Sequence, residues 1–220
     1  MPNPDHSYFR LLETCRQDHA TLVAVSKTRS IAEIETVYKM GQRIFAENRA
    51  QELLQKAPVM AEDIKWHLIG HLQTNKVRSI LPYISCIQSL DRLNLWDKIQ
   101  EEAARSDKKI KCLLQIKIAA EETKYGWSFE ELNKILLSGK QHTCPNVLIC
   151  GVMGMASFTE DIAQVRNEMK SLKASYDLFK GQFFNKNPAF NTISMGMSGD
   201  YSVALEEGST MIRIGSLLFT

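Results

Sequence analysis

At 220 residues, 44% hydrophobic and 24% charged, the chain can bury a substantial core as one large α/β domain or two small ones, and no segment is polar enough to suggest disorder. Its net charge of +2 comes from 27 basic and 25 acidic residues interspersed along the chain, without the basic block that nucleic acid or an anionic membrane surface calls for, so neither partner is expected. No apolar run reaches membrane-spanning length, and the N-terminus lacks the charged start and apolar core of a signal peptide, so a cytoplasmic protein is expected.

Tyr8, Leu11, Leu12 and Cys15 recur at helical spacing and predict an amphipathic helix over about residues 5–18. Then an alternation begins. "TLVAVSK" reads as a strand, and "SIAEIETVYKMG" as a helix with Ser30 and Glu33 as a capping box and Gly41 as its stop. "QRIFAE", "IKWHLIG" and "ISCIQSL" are the next strands, separated by the helices "NRAQELLQKAP" and "TNKVRSILPY". The helix "DRLNLWDKIQEEAARSD", started by Asp91, leads to the strand "KIKCLLQIKI". A "WSFEELNKILLSGK" helix, the strand "NVLICGVMGM" and a long helix from Thr159 follow. The pattern closes with "FNTISMG", a helix near "DYSVALEEG", and "STMIRIG".

The five cysteines are scattered and odd in number, with no CxxC pair, which predicts reduced thiols; Cys86, Cys112 and Cys150 lie in apolar runs as small hydrophobes. Roughly eight strands alternating with helices imply a parallel sheet. A doubly wound open sheet and a closed barrel both satisfy the alternation, and eight units in about 200 residues fit the barrel better. The expected fold is α/β, a single (β/α)8 TIM-type barrel with an extra N-terminal helix, forming one domain over residues 1–220 and stopping soon after the eighth strand.

In such a barrel the chemistry gathers where the strands end. Those positions hold Lys27, Glu47, Asn48, Gly70, His71, Ser89, Asp91, Met153 to Ala156, Ser194 to Ser198 and Arg213 to Ser216. The loops after strands seven and eight are the fold's usual phosphate place, and "SMGMSG" and "RIGS" offer glycines for close backbone approach and hydroxyl donors. Taken alone, such residues are also ordinary turns. Lys27 alone would be a solvated strand terminus; opposite a phosphate pocket, a lysine in partly dry surroundings can lose its proton and condense with an aldehyde. His67 and His71 are four apart, but "WHLIGH" reads as strand and turn, which argues against a zinc pair. Trp66 and Trp127 are expected to pack.

"AVSKT", "FAENRAQE", "WHLIGHLQTNK", "SMGMSGDY" and "GSTMIRIGS" together resemble the pyridoxal phosphate homeostasis proteins, in order from about Val23 to Phe219. The single barrel of that family is similar to the N-terminal domain of alanine racemase, a fold-type III arrangement. The resemblance implies that pyridoxal 5'-phosphate is the cofactor, held covalently by Lys27. It implies a phosphate site at Ser194, Gly215 and Ser216, with Met195 and Gly196 shaping that loop. Asn48 and His67 would line the ring pocket, Met153 would pack beside it, and Arg213 would face the pyridine nitrogen. A guanidinium there can only donate, which leaves the ring a weak electron sink; the alternative for Arg213 is a salt-bridged residue in the barrel mouth. Three positions depart from the family pattern: Ser216 stands where threonine is common, Arg49 follows Asn48 where an aromatic is frequent, and "GVMGMASFTED" is richer in small and polar residues than usual. Around Lys124 and Tyr125, the segment "EETKYGW" is either a lid over the cofactor or an ordinary solvated loop.

The implied role is vitamin B6 homeostasis: a monomer that holds, buffers or delivers the cofactor, with apo forms of pyridoxal-phosphate enzymes as possible recipients. The alternative is a weak amino-acid racemase. Racemisation needs a second acid/base on the opposite face of Cα, and the domain that supplies it in alanine racemase is not expected here; Tyr125 or Tyr201 would have to improvise.

Overall fold

The computed structural model describes residues 4–121 and 124–219. Helix α1 (Pro4–Gln17) precedes β1 (Thr21–Val25), and the alternation then runs α2 (Ile31–Lys39), β2 (Ile44–Glu47), α3 (Ala50–Lys56), β3 (Lys65–Leu68), α4 (Val77–Ile80) and β4 (Ile84–Leu90). It continues through α5 (Leu93–Arg105), β5 (Ile110–Gln115), α6 (Phe129–Leu137), β6 (Val147–Met153), α7 (Ile162–Gln182), β7 (Thr192–Ser194), α8 (Tyr201–Glu206) and β8 (Met211–Ile214). The strands close in sequence order into a barrel. Every pair is parallel, β8 returning to β1 with Val23 opposite Arg213.

Parity sorts the side chains. Outward-facing positions such as Leu22, Ala24, Phe45, Trp66, Leu68, Ile212 and Ile214 join the large core between barrel and helices, as expected for strands covered by crossover helices. Inward-facing positions make two small apolar clusters, one of Val23, Val25, Ala46 and Ile69 and one of Cys86, Leu113, Cys150 and Met153. Between them the interior is polar, with His67, Gln88, Gln115, Ser194 and Arg213 all buried.

The local signals explain the boundaries. Ser30 and Glu33 form the expected capping box on α2, Ser128 and Glu131 form another on α6, and Tyr8, Leu11 and Cys15 bury the inner face of α1. The five cysteines are free and buried. Trp66 packs against Phe45, and buried Trp127 donates its indole N–H to the Leu90 carbonyl at 2.9 Å. Asp91 does not start α5: the N-cap is Arg92, whose side chain makes no capping hydrogen bond, because the Asp91 carboxylate is occupied by His71 and Arg92. The long helix starts at Ile162, where the Asp161 side chain accepts the Ala163 and Gln164 amides. Among the described residues, no helix is long and apolar enough to cross a membrane.

Candidate functional site at the barrel mouth

Arg213 projects from β8 into the barrel and is 2% exposed. One terminal nitrogen donates to Ser194 Oγ at 2.7 Å and the other to the Gly154 carbonyl at 2.9 Å. No carboxylate lies within ion-pair reach of it among the described residues, so the salt-bridged alternative is not what the mouth contains. Burial pulls its pKa down to about 10, against the charge of Asp200. A buried cation whose hydrogen bonds go only to neutral acceptors, with Asp200 acting on it from beyond ion-pair reach, keeps positive charge that is only partly compensated, and an anionic or electron-rich ligand is its natural complement.

Ser194 passes the polarity inward. Its hydroxyl accepts from Arg213 and donates to Gln88 Oε1 at 2.7 Å. With Oε1 accepting, Gln88 Nε2 donates to His67 Nδ1 at 2.9 Å, which places the remaining ring proton of His67 on Nε2. Burial, then the charges of Lys111 and Lys65, depress the His67 pKa to about 4, so the ring is neutral at physiological pH. His67 is therefore the inner end of a one-way donor chain, beneath Ile69 on the same inward face of the chain, rather than a residue open at the mouth.

Lys27 lies in the turn just beyond β1, exposed, rather than in the partly dry pocket expected. No hydrogen bond or ion pair engages its ammonium among the described residues. The turn at Gly215 and Ser216 is adjacent: a Cβ built on Gly215 would lie 3.2 Å from the Val25 carbonyl oxygen. The Gly215 amide donates to Ser198 Oγ at 3.3 Å, while Ser216 is exposed. Gly196 holds the loop after β7 close to α8; at φ 94° its absent side chain leaves room for Ala204, whose Cβ would stand 2.6 Å from an added one. Met195 points into the barrel–helix core, so it meets the mouth through its backbone. Met153 is fully buried in the inner cluster.

Asn48 is half-buried at the end of β2. Its carbonyl oxygen would be 2.2 Å from a Cβ at Gly70, so the loops after β2 and β3 touch only because residue 70 is glycine. Beside them opens a cleft of about 560 Å³ lined by Arg49, His71, Gln73 and Lys76 among others. His71 Nδ1 lies 2.9 Å from Asp91 Oδ2, and the Tyr125 ring stacks on the His71 ring at 4.1 Å. The segment after β5 thus reaches the rim of the mouth at Tyr125; Glu122 and Thr123, also part of the possible lid, lie outside the described residues.

Sequence reasoning missed Gln88 and Lys56. Gln88 is a polar residue at inward parity within the apolar run of β4, a signal visible once the strand is aligned. Lys56 forms an i,i+4 pair with Glu52, which reads as surface decoration until the fold buries it.

The residues on this rim fit a small aldehyde bearing an anionic group: an amine at Lys27 and a guanidinium at Arg213 that both lack an ion-pair partner among the described residues, and a glycine turn with an exposed hydroxyl at Ser216. Comparison with known proteins follows the same line. Residues 5–220 match the model for the N-terminal domain of alanine racemase. A pyridoxal phosphate homeostasis protein of Aquifex aeolicus is 37% identical over 203 residues, covering 91% of this chain and 86% of the relative. A protein of the same name from Homo sapiens is 36% identical over 209 residues, covering 90% and 75%. Among solved structures, PipY of Synechococcus elongatus without PLP has a TM-score of 0.88 at 31% identity, covering 97% of this chain and 99% of that one. Its PLP-bound form has a TM-score of 0.85.

Proposed function

We propose, from the premise that this chain belongs to the pyridoxal phosphate homeostasis protein family, that it binds pyridoxal 5'-phosphate at the barrel mouth and holds it in reserve for other proteins. The observation that carries this reading is the buried Arg213, without an ion-pair partner among the described residues, two strand positions above Met211 and beside β1, whose end leads to the exposed amine of Lys27. When bound, the cofactor supplies an aldehyde that condenses reversibly with a primary amine.

Each residue then has a task. Lys27 supplies the amine. The turn of Gly215 and Ser216, with the loop of Ser194, Met195 and Gly196, receives the phosphate through backbone and hydroxyl donors. Ser194 reaches it only by turning its proton away from Gln88. Arg213 donates to the ring nitrogen and, being permanently charged at neutral pH, opposes protonation of that nitrogen. Asn48 and His67 would line the ring pocket and Met153 would pack beside it, with Gln88 holding the His67 ring in place.

A donor at the ring nitrogen disfavours strong carbanion chemistry, so the reading is of a carrier without strong catalysis. We place it in the cytoplasm, where five free thiols stay reduced, as a monomer that passes cofactor to apo forms of pyridoxal-phosphate enzymes. The test is the visible absorption spectrum of the purified protein before and after borohydride, with peptide mapping of the reduced adduct and an amino-acid racemase assay alongside. A yellow protein whose adduct maps to Lys27 and which racemises nothing supports the carrier. A protein that stays colourless after reconstitution overturns it.

A further inference from the structure

The turn that carries Lys27 stands on a buried ion cluster to which the reading above gives no task. Glu47, the last residue of β2, is 0% exposed. Its Oε1 accepts from Ser26 Oγ at 2.6 Å and from Lys56 Nζ at 2.8 Å. Lys56, itself 7% exposed, also donates to the Ser26 carbonyl at 2.8 Å and to Glu52 Oε2 at 3.2 Å. That same Glu52 oxygen accepts the backbone amide of Thr28 at 2.7 Å. The residues on either side of Lys27 are therefore both tied to one cluster of two carboxylates and one ammonium.

Two features argue that the cluster does more than fill space. Thr28 sits at φ 63°, a left-handed conformation that a β-branched residue rarely adopts and that persists only when its surroundings over-determine it. Burying ions is also a poor route to stability, since well-packed apolar residues of the same volume usually serve as well or better; here Glu47 Oε2 lacks any hydrogen-bond partner among the described residues. What charged groups provide that apolar packing does not is directional hold on particular backbone atoms, and the atoms held are the Ser26 carbonyl and the Thr28 amide.

We propose that Glu47, Glu52 and Lys56 are positioning residues that lock the Ser26–Thr28 turn so that the Lys27 amine meets an aldehyde at the barrel mouth. The proposal rests on the assignment of Lys27 made above. An exposed lysine is mobile along its own side chain, so fixing the backbone on both sides is the available way to raise the effective concentration of its amine at one point.

The experiment compares two ligands on the full chain. Pyridoxal 5'-phosphate and 4'-deoxypyridoxine 5'-phosphate share ring and phosphate, but the second carries a methyl group in place of the aldehyde and cannot condense. In Glu52→Ala and Glu47→Gln, affinity for the aldehyde is expected to fall about tenfold or more while affinity for the deoxy ligand stays within about twofold. In the cofactor-free protein, hydrogen exchange at the Thr28 amide should accelerate by about tenfold in Glu52→Ala and return toward the parent rate in Glu52→Gln, which keeps an acceptor. Glu52 is partly exposed, so its variants keep the test available if Glu47→Gln fails to fold. Equal weakening of both ligands, or no change in either, overturns the clamp. If the parent protein does not favour the aldehyde, or Lys27→Ala keeps that preference, the assignment of Lys27 has failed and the clamp falls with it; that result is distinct because it appears before any clamp residue is changed.

Discussion

Arg213 and Ser194, on neighbouring strands, meet at 2.7 Å, and the same serine hydroxyl donates onward to Gln88. One small side chain thus gives a buried cation one of its two acceptors, the Gly154 carbonyl being the other, and sets the hydrogen-bond direction of the barrel interior. Ser194→Ala removes an acceptor from the guanidinium and a donor from Gln88, both buried. Leaving such groups unmet costs on the order of 2 kcal/mol, which for a chain of this size is roughly 4–8 °C in thermal midpoint. Calorimetry should find that loss, together with weaker phosphate retention, while borohydride still fixes an adduct at Lys27.

Lys27→Ala has the opposite profile. The residue is exposed and has no ion-pair partner among the described residues, so stability should change by no more than about 0.5 kcal/mol. The borohydride-fixed mass on its peptide should vanish. An adduct that persists on that peptide in the variant would refute the assignment.

His67 makes stability pH-dependent in a definite window. Its folded pKa, depressed to about 4 by burial and by Lys111 and Lys65, lies below the ordinary histidine value of about 6.5. Between those values the unfolded chain binds the proton and the folded chain refuses it. Stability therefore falls as pH drops from about 6.5 and levels off below about 4, by a total on the order of 3 kcal/mol. Urea midpoints measured across that range should show the slope, and His67→Gln should flatten it. An equal slope in the variant would assign the effect to other groups.

Gly196→Ala asks an alanine to adopt φ 94° with its Cβ 2.6 Å from that of Ala204. Either α8 moves or the loop after β7 does. A loss of at least about 2 kcal/mol is expected, with phosphate-dependent binding reduced more than in Ser194→Ala because the whole loop shifts. Denaturant titration and phosphate competition measure the two effects separately.

The Glu33 carboxylate, held low at about 2 by the Ser30 amide and hydroxyl and by Arg29, supplies a second acid-sensitive feature. Its contribution is complete above the ordinary carboxylate range and is lost as pH falls toward about 2. Since the group is exposed, the effect should be local: faster amide exchange in the first turn of α2 without global unfolding.

The sequence by itself determined the order and type of the strands and of the α-helices between them, because βα alternation and signals such as the Ser30–Glu33 capping box are written in neighbouring residues. It also pointed to Lys27 and Arg213, since strand ends in a closed barrel converge whatever their separation along the chain. Asp91 shows where that reading stops: locally it is a helix cap, but the fold offers it His71 across the mouth, and a charge-assisted partner outcompetes the cap. His67 shows the same limit: the resemblance names it for the ring pocket, but how deep its side chain lies and that it meets Gln88 are visible only in the fold. Only tertiary structure could turn Glu47, Glu52 and Lys56 into one buried cluster or make Gln88 the link between Ser194 and His67. Hydrogen bonds and ion pairs depend on distances of an ångström between strands and helices far apart in the chain, and no local pattern encodes those distances.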